Sequence, residues 1–187
     1  MILKHIQPTL VSLAIFTVLF GGIYPLTTLA ISQTAFPNQA QGSLIRDGNT
    51  IIGSKLIGQN FTQPQYLWGR LSATAEAPYN AGFSSGSNYG VNNPALLEAA
   101  HARLTALNTS TNVPVDLITA SGSGLDPHIS PAAAAIQVTR IAQTRGISES
   151  AVRLAIDSST EHPTLGILGE ARVNVLEVNL RLDGKLK

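Results

Sequence analysis

The longest apolar run in the chain, TLVSLAIFTVLFGGIYPLTTLAI at residues 9–31, contains no charged side chain. About 23 residues reach roughly 34 Å as an α-helix, enough for a hydrocarbon core of about 30 Å, so the pattern predicts one membrane-spanning helix. Gly21, Gly22 and Pro25 within it would weaken a helix in water. In lipid, small residues let a second helix approach closely and a neighbour can satisfy the carbonyl that a proline frees, so these are candidate helix-packing residues. A cleaved secretory signal is the competing reading, since Lys4 opens a short basic region and Thr28-Leu29-Ala30 offers small residues for cleavage. The run exceeds the usual signal core of about 7 to 15 residues, which favours a retained anchor. Lys4 precedes the span and residues 32–45 carry no positive charge. The positive-inside tendency then puts residues 1–8 in the cytoplasm and the chain after the span outside.

Residues 32–42 read as a linker and residues 43–187 as one compact extracytoplasmic domain of ordinary size. Two short strands are predicted around Asp47-Gly48, a hairpin signal. Residues 56–58 and 66–68 are short apolar segments that could be strands or anchors under a loop. Residues 73–92, rich in Ala, Gly, Ser and Asn, read as a long ordered loop, often a functional element. Asn93-Pro94 predicts a helix start, with Leu96, Ala100, Leu104 and Leu107 facing inward. Ser130-Pro131 predicts a second helix, carrying Ile136, Ile141 and Ala142 to a stop at Gly146, and Ser148 caps a third with Val152, Ala155 and Ile156 inward. Leu176, Val178, Leu180 and Leu182 alternate with Glu177, Asn179, Arg181 and Asp183, which predicts a half-buried strand with a bulge near Val175-Leu176. The fold class expected is mixed α/β: one N-terminal transmembrane helix followed by a single compact α+β soluble domain.

Composition narrows the chemistry. The net charge of +1 offers no basic surface for nucleic acid. Without cysteine, thiol catalysis, thiolate metal sites and disulfides are excluded. Charged residues are 12% of the chain, about half the usual share for a soluble protein.

The candidate chemistry gathers in SGSGLDPHISPAAAAIQ, residues 121–137. Ser130, Pro131 and the alanines are explained by helix initiation. Gly122-Ser123-Gly124 fits neither a phosphate loop with its lysine nor a GxSxG elbow. Asp126 and His128 could open a metal site with Glu161 or His162, but two polar residues flanking a proline equally fit a turn closed by its own side chains. The reading adopted is a preorganised loop, with Gly122 and Gly124 at positive φ, performing no chemistry; no catalytic or metal-ligating residue is assigned. Two alternatives stay open. A hydrolase would pair Ser123 with His128, and an ion- or solute-binding module would converge Asp116, Asp126, Glu161 and Glu170.

The ordered segments LIGQNF, WGRLSAT, SSGSNYG, NNPAL, VPVDLITASGSGLDPHISPAAAAIQ, RIAQTRG and LGEARVNVLEVNL, after one N-terminal span, resemble the C subunit of the Kdp potassium-transporting P-type ATPase. The likeness runs from the span to about Leu182, with Leu71 standing where the family carries proline. The resemblance implies an accessory subunit of a bacterial inner-membrane complex, with Ser121, Gly122, Ser123, Gly124, Asp126 and His128 in a family signature loop. It implies as partners a channel-like subunit that selects potassium, a P-type subunit that hydrolyses ATP, and membrane lipid. It implies no cofactor of the chain's own, ATP and potassium being handled by the complex, and a role as a catalytic chaperone that raises the hydrolytic subunit's ATP affinity. The phosphorylated DKTGT sequence of such pumps is absent, so hydrolysis by this chain is not expected.

Overall fold

The computed structural model describes residues 3–108 and 112–186. Met1 and Ile2, the head of the predicted cytoplasmic segment, and Lys187, the end of the predicted domain, lie outside the described residues. Helix α1, Leu3–Val18, passes through a π-helical stretch, Leu19–Ile23, into α2, Tyr24–Ala35. The segment Lys4–Ala35, 32 residues, is apolar and long enough to cross a membrane. Pro25 gives the π turn a cause. It lacks an N–H and its ring crowds the carbonyl four residues back, and the wider turn, with Tyr24 N–H donating to the Leu19 carbonyl, relieves that crowding. Hydroxyls along the helix bond back to it, as Thr27 to the Ile23 carbonyl at 2.8 Å and Ser32 to Thr28 at 2.7 Å, leaving few polar groups unsatisfied in lipid.

The predicted linker is largely helical. The helix continues past Ile31 to Ala35, stops at Phe36, whose position before proline disfavours helical ψ, and α3, Pro37–Ala40, follows. A second compact unit occupies residues 45–187. Strands β1, Leu44–Asp47, and β2, Thr50–Ser54, form the predicted hairpin. Helix α4, Pro94–Leu107, starts where predicted, the Asn93 side chain accepting from Ala95 N–H at 3.0 Å. Of its expected inward face only Leu107 is buried; Leu96, Ala100 and Leu104 are half-buried. Helix α5, Val115–Ile118, leads to β3, His128–Ile129.

The helix predicted from Ser130 is two pieces, α6, Pro131–Ala135, and α7, Val138–Arg145. Gln137 makes the break: its buried side-chain amide donates to the Ala133 carbonyl while its own N–H bonds Ala134. Gly146 ends α7 in the left-handed region at φ +66°, as the stop signal requires. Helix α8, Glu149–Asp157, begins at the predicted Ser148 cap. Strands β4, Thr160–Glu161, and β5, Arg172–Asn174, complete an antiparallel sheet of order β3-β5-β4, which the sequence pattern did not reveal because each strand is two or three residues long.

The predicted C-terminal strand is a helix, α9, Val175–Leu182. Burial on most of its surface erases the helical period: Val175, Glu177 and Asn179 are buried along with Leu176, Val178 and Leu180, so the apparent alternation marks no solvent face. Asn174, whose side chain accepts from Glu177 N–H at 3.1 Å, with Glu177 three residues on, is the helix-start signal that overrides it. Around α9 the core joins Leu67, Leu117, Ile129, Val138, Ile141 and Val152.

Candidate functional site

The block at residues 121–128 is built of turns closed by their own side chains. Ser123 Oγ accepts from Leu125 N–H at 3.1 Å, and Asp126 Oδ1 accepts from His128 N–H at 3.0 Å. Gly124 sits at φ +68°, and a Cβ there would stand 2.6 Å from both the Ser85 carbonyl oxygen and Thr74 Cγ2. Gly122 departs from expectation. Its φ is ordinary and a Cβ on it would meet open space. Ser121 is buried, and its hydroxyl has no hydrogen-bond partner among the described residues.

The long loop after Ser72 wraps this block through hydroxyl groups. Ser72 Oγ donates to the Gly124 carbonyl at 2.7 Å and accepts from Tyr79 N–H at 2.8 Å; Ser84 Oγ donates to the Ser123 carbonyl at 3.0 Å. The residue composition that reads as loop is thus an inventory of short side chains able to bond backbone. Tyr79 donates its hydroxyl to the Arg70 carbonyl at 2.7 Å. Burial pushes its pKa up to about 12, against the opposing pull of Arg103, so it remains a neutral donor at physiological pH.

Beside the block lies an open cavity of about 380 Å³ whose lining includes Arg70, Asp116, Asp126, His128, Glu170 and Arg172. Arg70 Nη1 donates to Asp126 Oδ2 at 3.2 Å, and Nη2 to the Ala120 carbonyl at 3.4 Å. Asp116 accepts from Ser130 N–H at 2.7 Å and from its hydroxyl at 3.3 Å. The His128 ring holds Nδ1 at 3.7 Å from Asp126, too long for a hydrogen bond, and Nε2 at 3.5 Å from Asn174 Nδ2. Burial lowers the His128 pKa, with Glu161 working against it, so the ring is held neutral. Asp116, Asp126 and Glu170 therefore share one cavity, but the two aspartates are spent on internal bonds. Glu161 instead pairs with Arg172 at 2.6 Å, and His162 lines a different cavity. Among the described residues no three His, Asp or Glu side chains come together to hold a metal ion, and no hydrogen bond joins Ser123 to His128.

Sequence reasoning missed a clamp on Leu67 and Trp68. Asn179 on α9 accepts from Leu67 N–H at 2.8 Å and donates to the Leu67 carbonyl at 3.0 Å. Gln137 does the same for Trp68, at 3.0 and 3.1 Å. Two buried amides thus replace a neighbouring strand for an extended segment that has none. Arginines reinforce them. Arg103 and Arg140 guanidiniums lie 5.0 and 4.3 Å from the Trp68 ring centroid, and Arg140 also donates to the carbonyls of Pro64 and Tyr66. Arg145 lies 5.2 Å from the Tyr66 ring and bonds the Gln65 carbonyl and Asp183 at 2.7 Å each. Burial lowers the Arg140 pKa to about 10, leaving it a cation at neutral pH. The only sequence signal was polar residues at otherwise apolar helix positions.

The family described as "K+-transporting ATPase, c chain" matches residues 6–184. The chain belongs to this KdpC family. Among its relatives, the potassium-transporting ATPase KdpC subunit of Sorangium cellulosum is 54% identical, with 97% of this chain and 98% of that protein covered. The subunit of the same name in Herpetosiphon aurantiacus is 54% identical over 95% of this chain and 94% of its own length, and that of Methylococcus capsulatus 51% over 97% and 98%. The KdpC match takes in the apolar helix, the 121–128 block and the Leu67–Trp68 clamp together. Membership of a potassium-transporting ATPase subunit family agrees with the apolar N-terminal helix that the structure contains.

Proposed function

We propose that this chain is a non-hydrolysing accessory subunit of an ATP-driven potassium-importing complex, anchored by its N-terminal helix with residues 45–187 outside the cytoplasm. The observation that carries this reading is the internal use of the block's polar groups: Ser123, Asp116 and Asp126 are committed to backbone and to Arg70, as a scaffold requires and a catalytic site does not. The names carried by its relatives support potassium transport as the setting. Its partners are a channel-like potassium-selecting subunit and an ATP-hydrolysing subunit. It raises the latter's ATP affinity by holding the assembly in its working arrangement, without touching nucleotide, since a domain outside the membrane has no access to cytoplasmic ATP.

The test is purification of the tagged full chain from membranes grown at low potassium. Both other subunits should accompany it, complexes lacking the chain should show a raised KM for ATP, and external protease on spheroplasts should digest the region after residue 45. Isolation of the chain alone would overturn the accessory reading. Full protection from external protease would reverse the orientation and reopen direct contact with ATP.

A further inference from the structure

His128 on β3 stands opposite Asn174 on β5 as a cross-strand pair, which brings the two side chains together. The Asn174 amide is fixed from both ends. It is buried, its Oδ1 accepts from Glu177 N–H at 3.1 Å at the start of α9, and its Nδ2 donates to the Lys55 carbonyl at 2.9 Å. The second hydrogen on Nδ2 is left for the His128 ring, whose Nε2 lies 3.5 Å away and meets it with a lone pair. Nδ1, on the Asp126 side at 3.7 Å from Oδ1, then carries the single proton of the neutral ring. A further proton on Nε2 would set donor against donor, in front of an amide whose oxygen is already engaged elsewhere.

We propose that His128 is a proton-operated latch on the 121–128 block: the neutral ring lodges against Asn174, and a proton taken up at Nε2 drives the ring off that amide into the adjoining cavity, where it draws Asp126 away from Arg70. The cavity has the room and the charge to receive it. Its volume is about 380 Å³, and Glu170 in its lining has no ion-pair partner among the described residues. The other charges facing the ring are already answered: Glu161 on β4 by Arg172 on β5, Glu177 on α9 by Lys55, and Asp126 by Arg70. Asp116 on α5 is engaged by the Ser130 N–H and hydroxyl. Burial weighs most against an imidazolium in the lodged position and Arg172 adds to it, while Glu161, Asp126 and Glu177 favour the cation, and the balance lowers the pKa from 6.5. Leaving that position relieves the burial, so proton uptake and release of the ring form one equilibrium. Arg70 carries the change onward: the guanidinium that holds Asp126 at 3.2 Å also holds the Ala120 carbonyl at 3.4 Å, so both ends of the block respond together. The latch belongs to the domain itself. With that domain outside the cytoplasm it reads external acidity, and this last step alone rests on the accessory-subunit reading.

The experiment is a pH titration of the full chain in detergent, followed by NMR with isotope-labelled histidine rings and backbone, the His128 signals being identified by their loss in His128→Asn. The neutral ring should carry its proton on Nδ1. As the pH falls, the ring, the Asn174 side-chain amide and the backbone amides of Ala120 and Ser121 should shift with one shared midpoint below 6.5. In His128→Asn the Ala120 and Ser121 amides should stay still over the same range. Asn174→Asp places an acceptor opposite Nε2 while retaining a capping oxygen for α9, so the ring midpoint should rise above 6.5 and the Ala120 and Ser121 amides should cease to follow it. A neutral ring protonated on Nε2, or a wild-type ring that titrates while Ala120 and Ser121 stay still, overturns the latch. If Asn174→Asp fails to fold, the wild-type titration alone decides. Failure of the chain to bring down other subunits from membranes would sink the accessory reading and leave this titration unaltered, so the two failures are told apart.

Discussion

Gly124 and Gly122 look equivalent in the run Ser-Gly-Ser-Gly and are not. Gly124→Ala forces a Cβ into a left-handed position and to 2.6 Å from backbone oxygen. It should cost about 2–3 kcal/mol of stability, whereas Gly122→Ala should cost under about 1. Urea unfolding of the full chain in detergent measures both. His128 supplies a pH dependence at the same scale. Burial holds its folded pKa below the usual 6.5. The unfolded chain therefore takes up a proton first as pH falls, so stability is full above about 6.5 and declines below it toward the folded value. The urea midpoint should begin to drop as the pH falls below about 6.5, and His128→Asn should remove that component while keeping the block folded.

At the scale of elements, the clamp on Leu67 and Trp68 replaces strand pairing by side chains from α9 and from the α6–α7 break. Asn179→Ala should leave the buried N–H and carbonyl of Leu67 without partners, at a cost of about 2–5 kcal/mol. Asn179→Leu, which keeps the volume, should be no better, because the loss lies in the unpaired backbone and not in a cavity. A cost under about 1 kcal/mol for Asn179→Ala in the same unfolding measurement would mean that Leu67 finds other partners.

For the whole molecule, the N-terminal helix is where assembly can be tested apart from folding. A Cβ on Gly22 would meet no other part of the described residues within 4 Å, so Gly22→Leu should leave the isolated subunit folded. If the glycine pair packs against a helix of another subunit, Gly22→Leu should lower the yield of purified complex severalfold while Leu19→Ile does not. Equal yields would remove Gly21 and Gly22 from the interface.

Local chemistry alone determined the apolar helix, the Asp47-Gly48 hairpin, the caps at Asn93, Ser130 and Ser148, and the stop at Gly146. Each is written in adjacent residues, because capping and turn geometry involve partners two to four positions away. The family was equally legible, since residues 121–137 and the C-terminal segment carry its pattern. Tertiary structure decided what depends on distant partners. Helix α9 is buried on both of the faces its sequence appears to alternate, Gln137 breaks a helix by serving Trp68, and Gly124, not Gly122, has its Cβ position filled by Thr74 and Ser85. Such choices depend on which buried backbone groups elsewhere in the chain need a partner, and no local pattern records that need.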